Sequence, residues 1–393
     1  MSKTGNTQST PWMFLPAWLR WATEPALPVA DAETRATPAF NTKIRNLCLV
    51  LSMLVVFNHS NTYAPLIGAD QHPVVSLVGP DAGASPLEVV VQFFLSGSMW
   101  RVTNPVFFMA SGFFFFFGWR PTLLGLHRKL SKRVFTLLGP FLIWTILTMA
   151  LNFVAHALAS YPAYRAAWEA DGLTFSQLVT FFLNMPSSSQ LWFLRDLIYI
   201  MAFAVPVLAL VLPRLRGFTI LLFLAAYFSE LPNPGVDRAG LCFFGIGATL
   251  GYLRLQPTFS SGVWRRLAVV AWIGTAAAYT ILALLSDWNV KPLLNLLVLV
   301  GIVGIWACYD LLPGRAQDWL TRLSPYRFFI YMAFDPLLPT VQRVVGQWVP
   351  ATPSLNLLTY FLYPAIVVTL CVGLGMSLRN RLPKGYLVLT GGR

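Results

Sequence analysis

The stretch LCLVLSMLVVFNH, residues 47–59, is an apolar run broken only by Ser52, and it ends on Asn58 and His59. About 20 mostly apolar residues cross a bilayer as a helix, so this run reads as the greater part of a membrane span that carries an imidazole. The rest of the chain agrees. Of 393 residues, 56% are hydrophobic and 11% charged, and the mean hydropathy of +0.62 lies far from the balance of a soluble domain. Ten apolar stretches follow, at about 46–66, 92–118, 134–155, 191–212, 218–231, 239–254, 267–286, 292–312, 326–345 and 356–378. The fifth and sixth are short. The expected fold is therefore an all-α polytopic integral membrane protein of about ten transmembrane helices.

A net charge of +13 raises the question of nucleic acid, and the distribution of charge answers it. With the N-terminus in the cytoplasm, 22 of the 28 Lys and Arg fall on that side. The remainder are Arg101, Arg165, Arg195, Arg238, Lys291 and Arg343, while segments 67–88 and 346–355 contain no Lys or Arg. The positive-inside rule thus predicts both termini in the cytoplasm and accounts for the basic balance without nucleic acid. Residues 1–42 hold Trp12, Phe14, Trp18, Leu19 and Trp21, interrupted by Pro11 and Pro16, with no signal-type core; they read as a cytoplasmic or interfacial arm. Residues 43–380 form the membrane domain and 381–393 a basic tail. Cys48, Cys242, Cys308 and Cys371 fall inside the apolar stretches without CxxC spacing, so neither a disulfide framework nor a metal site is expected.

Ionisable groups at bilayer depth are costly and normally turned inward, which makes them functional candidates. At 100° per residue Arg45, Cys48, Ser52 and His59 share one stripe of the first helix, with His59 about 20 Å from Arg45 along the axis. The histidine reads either as a neutral ring hydrogen-bonded to a neighbouring helix or as a proton acceptor. In WRVTNPVFFMASGFFFFFG, residues 100–118, Arg101 needs a carboxylate, carbonyls or a phosphate, or else snorkels to the interface. Asn104 and Ser111 share a face there, and Ser111-Gly112 are small enough for a neighbouring backbone to approach. The loop RPTLLGLHRKLSKR, residues 120–133, gathers Arg128, Lys129, Lys132 and Arg133, explained by topology, by anionic lipid or by a phosphorylated cytosolic donor. In QLWFLRDLIYI, residues 190–200, Arg195 and Asp196 point about 100° apart on a helix, so they are expected to pair with other groups as well as with each other. Asp335-Pro336 in FFIYMAFDPLLP places a carboxylate beside an expected kink, where it partners a buried base or caps broken backbone.

In order along the chain stand a first helix ending in His59, then Arg101-x-x-x-Pro105 leading into VFFMASGFFF, KRVFTLLGPFLIW at 132–144, LWFL at 191–194 with its Trp192, and a late FIYM. This order resembles the acyltransferase-3 family of bacterial integral-membrane O-acyltransferases over about residues 40–380. The resemblance implies about ten helices in the bacterial inner membrane and transfer of an acyl group, usually acetyl and sometimes succinyl. The donor would be cytosolic acyl-CoA, a co-substrate rather than a bound cofactor, and the acceptor a hydroxyl of a cell-surface or exported glycan. The family's first-helix motif is an arginine followed eleven residues later by the histidine taken as catalytic. Here His59 matches, Cys48 stands at the arginine position, and Arg45 lies one turn further down the same stripe. Arg101 and Ser111-Gly112 match the second-helix pattern, Arg133 and Pro140 the third, and Phe334, followed by Asp335, stands where members often carry a histidine.

The resemblance thus implies His59 as the catalytic group, with Arg101 or Arg45 on a developing oxyanion or a phosphate. Arg128, Lys129, Lys132 and Arg133 are expected on the donor phosphates, and Asn58, Ser111, Trp192, Arg195, Asp196 and Asp335 along the substrate path. Expected partners are membrane lipid, acyl-CoA, a glycan or lipid-linked saccharide acceptor and polysaccharide assembly proteins, without nucleic acid. Two other classes fit the same inward polar residues: a transporter or flippase for a lipid-linked glycan, and an inactive scaffold in polysaccharide assembly. No SGNH-type hydrolase domain is expected, since the chain ends about 15 residues after the tenth stretch, which leaves transfer to the bundle or to a separate partner.

Overall fold

A computed structural model describes residues 36–60, 66–67, 73–74, 85–158, 191–229, 235–259, 261–286, 289–349 and 352–392. The N-terminal aromatics, Arg165 and most of segments 67–88 lie outside the described residues. Among those described, the regular structure is helical apart from one short antiparallel pair, β1 (Leu66–Ile67) with β2 (Pro73–Val74).

The described parts of the ten apolar stretches are mainly helical, as the bilayer requires of segments that must satisfy their own backbone groups. They are α1 (Pro38–His59); α2 (Pro86–Gln92), continued by irregular turns from Phe93 to Val102 into α3 (Thr103–Phe116); α4 (Leu123–Arg133), continued by Val134–Leu138 into α5 (Gly139–Leu158); and α6 (Leu191–Tyr199), continued by Ile200–Ala204 into α7 (Val205–Leu215). Then come α8 (Phe218–Phe228), α9 (Arg238–Tyr252), α10 (Gly262–Leu285), α11 (Lys291–Leu311), α12 (Gly314–Leu323), α13 (Arg327–Gly346), α14 (Pro353–Arg381) and α15 (Pro383–Thr390). Six helical segments are long and apolar enough to cross a membrane: Pro38–His59, Leu123–Leu151, Leu191–Leu215, Gly262–Leu285, Lys291–Leu311 and Leu355–Arg381. The short fifth and sixth stretches are short helices, α8 and α9, as their length suggests.

Two boundaries differ from the sequence reading. Residues 120–133, read as a loop, are mostly α4: Thr122 caps it by accepting from the Gly125 N–H at 3.1 Å, and the helix runs on into α5. Helix α1 starts at Pro38, inside the expected arm, because Thr37 Oγ1 accepts from the Phe40 N–H and Phe40 and Ile44 are buried. The tail carries a docked helix, α15: the Trp144 indole donates to the Leu389 carbonyl at 3.0 Å and the Tyr386 hydroxyl to the Pro325 carbonyl at 3.0 Å.

Between helices in lipid, close packing and polar contacts replace the hydrophobic drive, and the bundle uses both. Along α3 and α9 the backbones touch: a Cβ on Gly112 would meet the Phe244 carbonyl, and one on Gly247 the Met109 carbonyl. The approach expected at Ser111-Gly112 is thus made by Gly112. Helix α1 packs against α3, α12, α13 and α14. Fully buried Asn46 donates to the Tyr309 hydroxyl at 2.9 Å and Thr321 Oγ1 at 2.8 Å, and Lys43 pairs with Asp310 at 2.6 Å. Those contacts pin α1 to α11 and α12 beside Arg45.

Candidate functional site

Helix α1 delivers its polar stripe as the 3.6-residue period requires. Arg45, Cys48 and Ser52 line a cavity of about 300 Å³, closed by Phe107 and Ser111 of α3, by Arg133, by Phe193 of α6 and by Arg327 and Tyr331 of α13. Ser52 donates back to the Cys48 carbonyl at 2.8 Å. Three guanidinium groups therefore meet one cavity, and no carboxylate is among the residues lining it. Ser324, in the short turn before α13, holds two of them: Arg327 donates to its carbonyl at 2.7 Å and Arg45 reaches its hydroxyl at 3.4 Å. Such a set favours an anion, because like charges brought together are relieved by bidentate binding to phosphate or carboxylate oxygens.

Above the arginines, Phe107, Phe193 and Tyr331 form a cluster with ring centres 5.7, 5.7 and 5.9 Å apart. One helical turn beyond Tyr331 come Phe334 and Asp335. There the His59 ring lies 5.3 Å from that of Phe334, tilted by 42°, within electrostatic range of the Asp335 carboxylate. Arg327, Tyr331 and Asp335 recur every four residues on α13, so α1 and α13 carry parallel polar stripes from an arginine end to a histidine–aspartate end. Helix α13 runs unbroken through Pro336 and Pro339; Asp335 consequently caps no helix end. His59 is exposed at the last turn of α1 with Asn58 half-buried beside it, and it makes no hydrogen bond among the described residues. Behind it the Phe57 carbonyl accepts from the Ser60 hydroxyl at 2.7 Å, and Ser96 bonds the Tyr360 hydroxyl at 2.7 Å.

The other expected residues go elsewhere. Arg128 and Lys132 are exposed on α4 and only Arg133 of that group reaches the cavity. The Lys129 ammonium donates to the carbonyls of Phe115 at 2.5 Å and Phe117 at 3.1 Å, where it caps the C-terminus of α3. Trp192 packs on Phe108, with ring centres 6.4 Å apart. Arg195 and Asp196, expected to pair with other groups as well as with each other, meet at 2.9 and 2.8 Å because the long arginine curls back. The second Asp196 oxygen accepts from the Asp237 N–H at 2.8 Å, tying α6 to the start of α9. Arg101 donates from Nε to the Gly97 carbonyl at 2.9 Å and does not line the arginine cavity. Arg327 was not singled out from the sequence; its signal was the four-residue spacing to Tyr331 and Asp335. The four cysteines form no disulfide, and among the described residues no three His, Cys, Asp or Glu side chains gather as metal ligands.

No curated protein and no solved structure matches the chain. A family model described as an acyltransferase domain matches residues 49–376, a span that holds His59, most of the arginine cavity and every helix from α2 to α13. The chain therefore belongs to the acyltransferase-3 family and is a multi-pass membrane acyltransferase.

Proposed function

We propose that the protein moves an acyl group, acetyl or succinyl, from cytosolic acyl-CoA to a hydroxyl of a cell-surface or exported polysaccharide, and that it does so in the bacterial inner membrane with both termini cytoplasmic. The observation that carries this reading is the cavity in which Arg45, Arg133 and Arg327 meet, one ring cluster away from His59. The three guanidinium groups take the donor's phosphates at the basic end. Its acyl-thioester arm passes Phe107, Phe193 and Tyr331 toward the imidazole.

At that end the His59 ring removes the proton from the acceptor hydroxyl as its oxygen attacks the thioester carbonyl. The tetrahedral intermediate expels the CoA thiolate, and the imidazolium returns the proton to sulfur. Asp335 favours the imidazolium while it lasts. The apolar rings between the two ends keep water from the thioester. Arg45, about 20 Å along the helix from His59, belongs to phosphate binding in this scheme and not to the oxyanion. Arg101, Asn58, Trp192 and the Arg195–Asp196 pair lie outside the donor cavity, on the side assigned to the glycan or lipid-linked acceptor.

The test is turnover of acetyl-CoA and succinyl-CoA by detergent-purified protein with lipid-linked glycan or crude exopolysaccharide as acceptor, wild type beside His59→Ala. Loss of turnover by a factor of about 10² to 10⁴ is expected for removal of a general base. A variant that keeps most of the activity rules the histidine out, and folded wild type that consumes neither donor points to glycan translocation instead.

A further inference from the structure

A second cavity, of about 290 Å³, lies on the other side of the α1–α3 wall from the arginine site, and Ile44 and Ala110 line both. Its lining is almost wholly apolar: Phe40 and Leu47 of α1, Met109 and Phe113 of α3, Leu250 of α9 and Trp306 of α11 among others. Val303, at its edge, is about half exposed on the outer face of α11, so the cavity opens sideways, where lipid surrounds the bundle. The segment Pro257–Phe259 lines the basic end of the cavity, and there the character changes. Arg265 donates to the Phe259 carbonyl at 2.7 Å, which brings its guanidinium to the rim. Lys43, neutralised by Asp310, stands 4.0 Å over the Trp306 ring. Two buried donors beside the cavity, Arg265 Nε and Trp306 Nε1, have no acceptor.

We infer that this cavity holds one acyl chain of an anionic phospholipid from the leaflet at the basic end, with the lipid phosphate on the Arg265 guanidinium. An alkyl chain fits the lining, and nothing there satisfies a polar ligand body. Charge chooses the headgroup, because Asp310 is already bound to Lys43 and Arg265 has no ion pair among the described residues. Lipid is the source, since the opening at Val303 faces the bilayer and the wall of Ile44 and Ala110 separates the cavity from the site assigned to acyl-CoA.

The experiment is native mass spectrometry of the full-length protein released from detergent. Phosphatidylglycerol and phosphatidylcholine with identical chains are offered in competition to wild type, Arg265→Gln and Val303→Trp, each checked for an unchanged thermal transition. Wild type is expected to retain phosphatidylglycerol about fivefold over phosphatidylcholine, the factor typical of one basic side chain at an anionic lipid surface. Arg265→Gln should bring the ratio close to one, and Val303→Trp, which blocks the opening, should lower retention of both lipids. Equal retention of the two lipids by wild type, or a ratio untouched by Arg265→Gln, overturns the inference. So does lipid binding that appears only after residues 2–35 are removed, which would make the N-terminal arm the occupant. If Val303→Trp fails to fold, Arg265→Gln alone decides.

Discussion

Helix α3 has two faces that were built for opposite purposes. On one, Gly112 lies against the Phe244 carbonyl of α9 with no room for a methyl group. On the other, Phe107, Ala110 and Ser111 border a cavity of about 300 Å³ ringed by three arginines. Adjacent residues, Ser111 and Gly112, thus belong to an open site and to the tightest seam in the bundle. The difference teaches how a membrane bundle keeps a cavity at all. Without a hydrophobic drive between helices, an opening beside α1 survives only if the opposite face of α3 is locked.

The sharpest way to break the contrast is to substitute the two neighbours alike. Gly112→Val drives a side chain into backbone, which cannot rotate away, and should cost about 3 kcal/mol, the upper end for overpacking. Ser111→Val adds apolar bulk to open space and should leave folding within about 0.5 kcal/mol of wild type. Thermal unfolding in detergent reads both, and equal losses would mean that the seam does not support the cavity.

Next in size is the effect of charge on the open face. Arg45→Gln and Arg327→Gln each remove a charged donor worth about 1.5–3 kcal/mol when engaged, so each should raise KM for acyl-CoA about ten- to a hundredfold with kcat nearly unchanged. A fall in kcat at constant KM would move these arginines from the phosphates to the reacting carbonyl.

The helices were legible because lipid leaves the chain no alternative to long apolar helical runs, and the described parts of the ten stretches are mainly helical. The α1 stripe was legible for a similar reason: a single helix fixes its own angular register, so Arg45, Cys48 and Ser52 had to share a face. What periodicity cannot give is which other helices meet that face. Arg327 is one of three basic residues between 313 and 327, and only tertiary packing separates it from Arg315 and Arg322, both exposed. The cluster at 120–133 meets the same limit. Four cations close in sequence looked like one binding surface, yet on α4 they point to different places. Arg195 and Asp196 were legible as a pair with partners beyond it: the guanidinium on its long stem folds back on Asp196, whose second oxygen accepts from the Asp237 N–H.

Lys129 and Arg133 supply the smallest and most discriminating test. They lie one helical turn apart on α4, both half-buried, and charge and helical spacing alone offer no ground for treating them differently. In the structure Lys129 closes the C-terminus of α3 through the Phe115 and Phe117 carbonyls, whereas Arg133 borders the cavity. A cation at a helix C-terminus is worth about 0.3–1 kcal/mol, so Lys129→Met should lower stability by that amount and leave KM for acyl-CoA where it was. Arg133→Gln should do the reverse, raising KM with little change in unfolding. If Lys129→Met also raised KM, the helix cap would be only a resting position of the ammonium, and the donor site would extend along α4 as the bare sequence suggested.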